Sequence, residues 1–280
     1  MNWKKQMLLT LLLTVTAPLF SNEFWLEPQY YIFQRGEEIN IRLRVGEGFR
    51  GENWNGNREE VHQFKLHFAE TTDNLIDQLS DAPGDSLQFK IFEEGTAMIS
   101  FNNANRFITI DAKAFNAHLE EDGIREVIDF RRENNQTDSA GKEYNQRTVK
   151  TILQIGTKYT DQILQPADLI LDVVPLTHPY RFTQTGSMPV QVLFNGQPLA
   201  GKMMRIWHRV GGMVTVSSQL TDEQGKLSFQ IKPEGEWMVS CVAMKRLEND
   251  PKAQWQSYWS SLTWGYTRSK QKLQASRGRP

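Results

Sequence analysis

The feature that most constrains the fold is an alternation of apolar and polar residues in short runs separated by turn-forming residues. Residues 39–45 alternate strictly, which is the period of a strand with one buried face. Similar runs recur at residues 63–68, 86–92, 97–101, 106–110, 169–174, 188–194, 202–210, 213–219, 226–231 and 237–244. Because many short strands at this spacing are typical of stacked sheets, the sequence predicts a mainly β protein.

One internal stretch departs from this alternation. From Ala114 through Leu119 to Val127, apolar residues recur at steps of three and four, the spacing of an amphipathic helix. We interpret the stretch at about 111–155 as a small helical insertion. It would hold two short helices broken at Gly123 and a third helix over residues 142–153.

The length of the chain allows two compact units. In the second half, Asn195-Gly196 and Gly211-Gly212 supply the positive φ angles that tight hairpins require. We therefore expect two β-sandwich domains, Ig-like or prealbumin-like. The first covers residues 22–177 and contains the helical insertion, the second covers residues 178–267, and residues 268–280 form a flexible tail.

The N-terminus has the pattern of an export signal. Lys4 and Lys5 precede an apolar run over residues 7–15, which fits a secretory signal and is too short to span a bilayer. Small residues follow, so a signal peptide over residues 1–21 is predicted. Its removal would leave a soluble periplasmic protein that does not insert into the membrane.

Charge and cysteine content exclude several classes of function. The chain has 32 Lys and Arg against 33 Asp and Glu, a net charge of −1, and this balance gives no argument for nucleic acid as a partner. The single cysteine, Cys241, excludes an intramolecular disulfide framework and a multi-cysteine zinc site. A chain without disulfides fits a bacterial periplasm better than a eukaryotic secretory route.

Five segments carry a resemblance to a known family: residues 23–28, 42–49, 115–123, 142–144 with Lys150, and 257–263. In these segments the chain resembles the exported bacterial DUF4198 family, over nearly the whole mature protein. The resemblance implies a periplasmic location, and many members are labelled as periplasmic components of nickel or cobalt uptake. Many members also place a histidine before the acidic-Phe-Trp motif. Here that position is Asn22, whose amide is a poor ligand for nickel or cobalt.

If the chain binds a transition metal such as nickel or cobalt, the candidate ligands are His62, His67 and His118, with Glu23 and the new α-amino group as helpers. His62 and His67 are five residues apart, and an odd separation sends strand side chains to opposite faces. They could share a metal only if the strand bulged or bent. His118 lies within a predicted helix with Asp122 one turn later, a pair that could bind a metal or form a surface hydrogen bond.

No catalytic residue is predicted, because no nucleophile-elbow motif accompanies the serines. Glu23 and Glu27 could act as the carboxylate pair of a glycosidase. In an extended strand, at roughly 3.3 Å per residue, they would lie about 13 Å apart, too far for direct cooperation. Trp54 lies in a glycine-rich loop, and an aromatic residue on a loop is a candidate for ligand contact.

Three functions stay open at this point. The leading hypothesis is a non-enzymatic periplasmic binding or accessory protein, linked to transition-metal uptake, with an envelope or transporter protein as partner. The second is a structural or adhesive module that docks to an envelope partner through its C-terminal sandwich. The third is a carbohydrate-active enzyme.

Overall fold

The computed structural model describes residues 23–79 and 87–268. The protein is mainly β, as the sequence predicts, and contains two short α-helices. Among these residues, neither helix has the length and apolar content that crossing a bilayer would require. The predicted signal peptide lies outside the described residues, and so does the predicted tail apart from Arg268, which bridges to Ile32.

The described strands, in chain order, are β1 (Glu23–Pro28), β2 (Ile32–Phe33), β3 (Glu38–Glu47), β4 (Arg50–Asn53), β5 (Val61–Phe68), β6 (Thr71–Asn74), β7 (Leu87–Lys90), β8 (Gly95–Asn103), β9 (Arg106–Ile110), β10 (Gly141–Ile155), β11 (Leu171–Pro175), β12 (Gly186–Phe194), β13 (Gln197–Pro198), β14 (Met203–Val210), β15 (Met213–Leu220), β16 (Lys226–Ile231), β17 (Glu236–Arg246) and β18 (Trp255–Gly265). The helices are α1 (Ala112–Glu121) and α2 (Arg125–Glu133), and short 3-10 turns lie at Arg58–Glu60, Ile76–Gln78, Asp161–Leu164 and Pro179–Arg181.

A ten-stranded sheet forms the middle layer of the protein. Its main path runs β15-β14-β17-β18-β10-β8-β5-β6, and β2 and β9 also pair with β10. One four-stranded sheet, β1-β3-β4 with β7, packs on one face of this layer together with the helices. A second, β11-β12-β13 with β16, packs on the other face. The two predicted sandwiches therefore share their middle layer, since β18 pairs in parallel with β10 across the predicted boundary at residue 178.

Alternation along β14 shows how one strand serves both faces. Met204 and Ile206 belong to the core under the β11-β12 sheet, whereas Trp207 packs against Trp25 of β1 on the other side. Each face thus has its own hydrophobic core, as expected for a sheet covered on both sides.

The helical insertion is shorter than predicted. The helices end at Glu133, and the residues expected to form a third helix lie in strand β10 instead. Residues 148–155 of β10 are buried on both faces, so the strand lacks the polar alternation by which a half-exposed strand is recognised. Its β-branched residues Thr148, Val149, Thr151 and Ile152 suit an extended backbone better than a helix.

Candidate functional site

Six buried or largely buried charged side chains gather between α1, β1 and the middle sheet. We call this group the charged cluster: Glu23, His118, Asp122, Glu143, Arg147 and Arg205. His118 and Asp122 are four residues apart along α1 and its C-cap, so they lie on one helical face. Trp259 of β18 lies beneath them in the middle sheet.

Arg205 joins the strand β1 to the end of α1. One of its guanidinium nitrogens lies 2.9 Å from Glu23 Oε1 and the other lies 2.5 Å from Asp122 Oδ1. The Ser240 hydroxyl donates a further hydrogen bond to Glu23 Oε1 at 3.3 Å. The two carboxylates balance the charge of the buried arginine. Removing the arginine, or removing the carboxylates, would leave a buried charge without a partner of the opposite sign.

The His118 imidazole is held from two sides. Its Nδ1 lies 2.8 Å from Asp122 Oδ2, and its ring stacks on the Trp259 indole with centroids 5.0 Å apart and planes at 8°. The Arg147 guanidinium lies over the same indole at 4.5 Å. Nearby, Glu143 Oε1 accepts a hydrogen bond from the Ser257 hydroxyl at 3.0 Å.

Burial changes the acidity of these groups. Burial raises the pKa of Glu23 to about 7, against the lowering effect of Arg205. Burial also raises the pKa of Glu143, which the His118 charge partly offsets. Burial alone would lower the pKa of His118, but the hydrogen bond and charge of Asp122 outweigh it and the pKa is raised. The cluster therefore tends to retain protons near neutral pH.

The charged cluster is enclosed. A cavity of about 10 Å³ lies beside Glu23, Asp122, Arg205 and Trp259, which is close to the space that one water molecule needs. Three buried atoms, Glu23 Oε2, Glu143 Oε2 and His118 Nε2, have no hydrogen-bond partner among the described residues. Within residues 23–79 and 87–268, no three His, Cys, Asp or Glu side chains are arranged to hold a metal ion.

Two carboxylates of β1 match two arginines of β14. Glu23 and Glu27 are four residues apart, as are Arg205 and Arg209, and each glutamate contacts one arginine at 2.9 and 3.1 Å respectively. Arg44 of β3 binds Glu27 as well, at 3.1 Å. The two carboxylates thus occupy separate environments instead of sharing one site.

Beyond Glu27 the surface opens into a cleft of about 530 Å³. We call it the polar cleft, and its lining residues are Glu27, Pro28, Gln29, Glu38, Asn40, Arg42, Arg209 and Glu236. At its floor, Arg209 pairs with both Glu27 and Glu236 and lies over the Phe49 ring. The arginine is therefore fixed in position, while Glu38 and Arg42 stand exposed at the rim.

The structure does not bring the three candidate histidines together. His62 is exposed at a register shift in β5, whereas His67 is buried, with Nε2 2.9 Å from the Ser100 hydroxyl. His67 lies on the face of the middle sheet that carries the β11-β12 sheet, and His118 lies on the opposite face. Only His118 and Glu23 meet, through Asp122 and Arg205, in the charged cluster.

Trp54 is a core residue, not a ligand-facing aromatic on the loop surface. Its side chain is 6% exposed and packs edge-to-face against Phe24 and Phe101, with ring centroids 5.9 and 5.6 Å away. The indole folds back over Gly56, where an added Cβ would lie 1.9 Å from its ring. The glycine-rich loop thus admits the ring to the core, which is why the loop position misled the ligand-contact prediction.

Sequence reasoning missed Arg205, Glu143 and Arg147 as members of the charged cluster. Their positions follow from strand parity: Arg205 faces away from Met204 and Ile206, whose side chains form the opposite core. All five segments that carry the family resemblance border the charged cluster or the polar cleft. Four of them supply Glu23, His118, Asp122, Glu143 and Trp259 to one place, and the fifth supplies Arg42 to the cleft.

The profile of a domain of unknown function, DUF4198, matches residues 19–245. No curated protein matches the chain. Among solved structures, a chimeric titin Z1Z2-Z1Z2 tandem is 11% identical with a TM-score of 0.21, covering 89% of this chain and 100% of the tandem. Salmonella alpha-2-macroglobulin is 10% identical with a TM-score of 0.21, covering 89% of this chain and 15% of that one. Escherichia coli alpha-2-macroglobulin is 9% identical with a TM-score of 0.20, covering 90% and 16%.

Proposed function

The chain belongs to the DUF4198 family, a domain of unknown function, and from that premise we propose that it is a non-enzymatic binding or accessory protein of the bacterial periplasm. The observation that carries this proposal is the polar cleft, whose volume of about 530 Å³ lies in the range of small-molecule sites. The cleft would receive the ligand, and the charged cluster behind it would hold β1 against β14.

The chemistry of the polar cleft favours a small ligand that carries both charges. Glu38 and Arg42 present opposite charges at the rim, and Arg209 is fixed at the floor by Glu27 and Glu236. Charges of both signs around one cleft suit a zwitterion, because each ligand charge meets a partner of the opposite sign. A free amino acid or a dipeptide is the simplest probe of this class.

The surroundings of Glu23 and Glu27 argue against a glycosidase. That reaction needs two carboxyl groups on either side of one bond in a site open to the sugar. Glu23 belongs to the enclosed charged cluster, whereas Glu27 borders the polar cleft, and each carboxylate binds its own arginine. A binding protein does not need two carboxyl groups on either side of one bond, so the separation of Glu23 and Glu27 is compatible with a binding role.

Calorimetric titration with free amino acids and dipeptides tests the proposal. We expect Arg42→Gln to abolish binding, because it removes the positive charge at the rim of the cleft. Arg42 is exposed, so its loss leaves the core untouched. Arg35→Gln is the matched control, since Arg35 is also exposed but does not line the cleft. Absence of heat with every probe, or equal binding by both variants, would contradict the role assigned to the cleft.

A role in transition-metal uptake is the finer form of the proposal. The family resemblance supports it, and of the candidate ligands His62, His67, His118 and Glu23, only His118 and Glu23 lie together, in the charged cluster. Titration with nickel, cobalt, zinc and copper ions should give binding that is weakened by His118→Ala. If none of these ions shifts the melting temperature or gives heat, the metal form of the proposal fails while the zwitterion form stands.

A second candidate function, a structural or adhesive envelope module, is favoured by the edge strand β15. This strand ends the middle sheet, contains eight uncharged residues without proline, and exposes Met213 (76%), Val216 (54%) and Leu220 (61%). Sheet edges are normally blocked by charges, prolines or bulges, because a bare edge can accept another strand. We propose that an extended segment of an envelope protein pairs with β15.

Pull-down from envelope extracts tests the β15 role. Deleting the C-terminal half is unsuitable, because β18 lies inside the middle sheet. Val216→Lys is sharper, since it places a charge on the exposed edge without entering the core. Val216→Thr serves as the control, because it keeps an uncharged, β-branched residue at the same position. Capture of a partner by the native chain and the control but not by Val216→Lys supports the module, and capture by all three contradicts it.

A further inference from the structure

A second buried ion pair lies on the opposite face of the middle sheet from the charged cluster. Lys150 of β10 contacts Asp172 of β11 through Nζ and Oδ1, and the two side chains are 1% and 2% exposed. The pair spans two layers, because β10 belongs to the middle sheet and β11 to the four-stranded sheet that covers it. Nothing in the proposed binding role uses it.

The surroundings hold the two groups against each other. Asp172 Oδ2 accepts a hydrogen bond from the Ala167 backbone N–H at 2.7 Å, which leaves Oδ1 directed at the amine. Two residues before Lys150, the Thr148 hydroxyl donates to the Leu171 carbonyl at 2.8 Å and fixes the register of the two strands. Neither Lys150 Nζ nor Asp172 Oδ1 has a hydrogen-bond partner of good geometry among the described residues.

Within the part of the chain that the structure describes, Lys150 is the cation in contact with Asp172. His67 faces the same region, but burial first and the Lys150 charge second lower the pKa of its imidazole, which disfavours a second cation there. Burying an ion pair is costly in a dry interior, and an amide in the same place would carry no charge to bury. A neutral amide would therefore suit this buried position better than the two ions do.

We propose that Lys150 and Asp172 condense into an intramolecular isopeptide bond that joins the two layers. A proton passes from the ammonium to the carboxylate, and the neutral Nζ attacks Asp172 Cγ to form the carbon–nitrogen bond. A second proton then moves from this nitrogen to the hydroxyl, which departs as the carbon–oxygen bond breaks. One water molecule leaves, and no oxidant, reductant or external co-reactant is needed. Reactants held in contact make such a step effectively unimolecular, which is the main advantage of this arrangement.

The geometry also provides a route for the leaving water. Asp172 borders a cleft of about 360 Å³ that is lined by Pro166, Leu169, Leu193 and Asn195 among others. Water released at Asp172 can enter this cleft without crossing the hydrophobic core.

Peptide mapping of the purified full chain by mass spectrometry tests the bond. We expect trypsin not to cleave after Lys150, and a branched peptide containing Lys150 and Asp172 to weigh one water less than the sum of its parts. Lys202 and Glu126 form an internal control, because this ion pair is 3.4 Å long and its carboxylate is 57% exposed. Trypsin should cleave after Lys202 as usual.

Two variants separate a chemical bond from a tight ion pair. Asp172→Asn should still form the amide but release ammonia, so that its branched peptide matches that of the native chain while its intact mass falls by one ammonia. Lys150→Arg should keep the charge, form no bond and show the full mass. Peptides of full mass from the native chain, with normal cleavage after Lys150, would overturn the proposal whether or not the variants fold.

Discussion

Replacing Glu23 by glutamine should make the stability of the protein less dependent on pH. Burial raises the pKa of this carboxyl from 4.5 to about 7, so between these values the folded state binds a proton that the unfolded state releases. The contribution of Glu23 is therefore fully present below pH 4.5 and is lost as pH rises to about 7. Glutamine cannot titrate and removes this contribution at every pH.

The magnitude follows from the difference between the two pKa values. At about 1.36 kcal/mol per pKa unit, a rise of about 2.5 corresponds to about 3 kcal/mol. Glu23 is almost wholly buried, so solvent screening reduces this value little. Relative to the native chain, Glu23→Gln should thus gain about 3 kcal/mol of unfolding free energy between about pH 4.5 and about pH 8.

Urea unfolding at about pH 4.5, 6 and 8 measures this difference. Glu38→Gln is the control, because Glu38 is exposed on β3 and its loss should leave the pH profile of the native chain unchanged. His118 and Glu143, whose pKa values are also raised, act in the same direction in both proteins and cancel in the comparison. Parallel stability curves for Glu23→Gln and the native chain would refute the reasoning.

Three further outcomes follow from the structure. Arg205→Ala should destabilise the protein by about 3–5 kcal/mol in urea unfolding, because it leaves Glu23 and Asp122 buried together without their cation. Trp54→Ala should cost about 3–5 kcal/mol in the same assay, since it empties a core position. Cys241 is buried with its pKa raised to about 12, so a thiol reagent at neutral pH should label it only in denaturant, and rapid labelling of the folded chain would contradict its burial.

The strands were predictable where one face of a strand meets solvent. β3 and β16 alternate buried and exposed positions, and the sequence pattern reports that alternation directly. β10 was mistaken in part for a helix because both of its faces are covered. Periodicity arises from contact with water, and a strand between two layers has little such contact.

The charged cluster was only partly predictable. The spacing of His118 and Asp122 is local, so the amino-acid sequence alone indicates that the two side chains share a helical face. The pairing of Glu23 with Arg205 joins residues 182 positions apart, and no local pattern reports such a contact. Parity along β14 identifies which face Arg205 takes but not which element covers that face.

The place of β18 in the middle sheet governs when the fold can be completed. β18 lies between β17 and β10, and its Ser260 bonds to the Thr148 carbonyl across 112 residues of chain. Until residues 255–265 arrive, one long side of β10 has no neighbour along most of its length. Such late, non-local parallel pairing is slow and leaves apolar strands open to other chains. A newly made molecule is thus most exposed to aggregation in the interval before β18 pairs with β10.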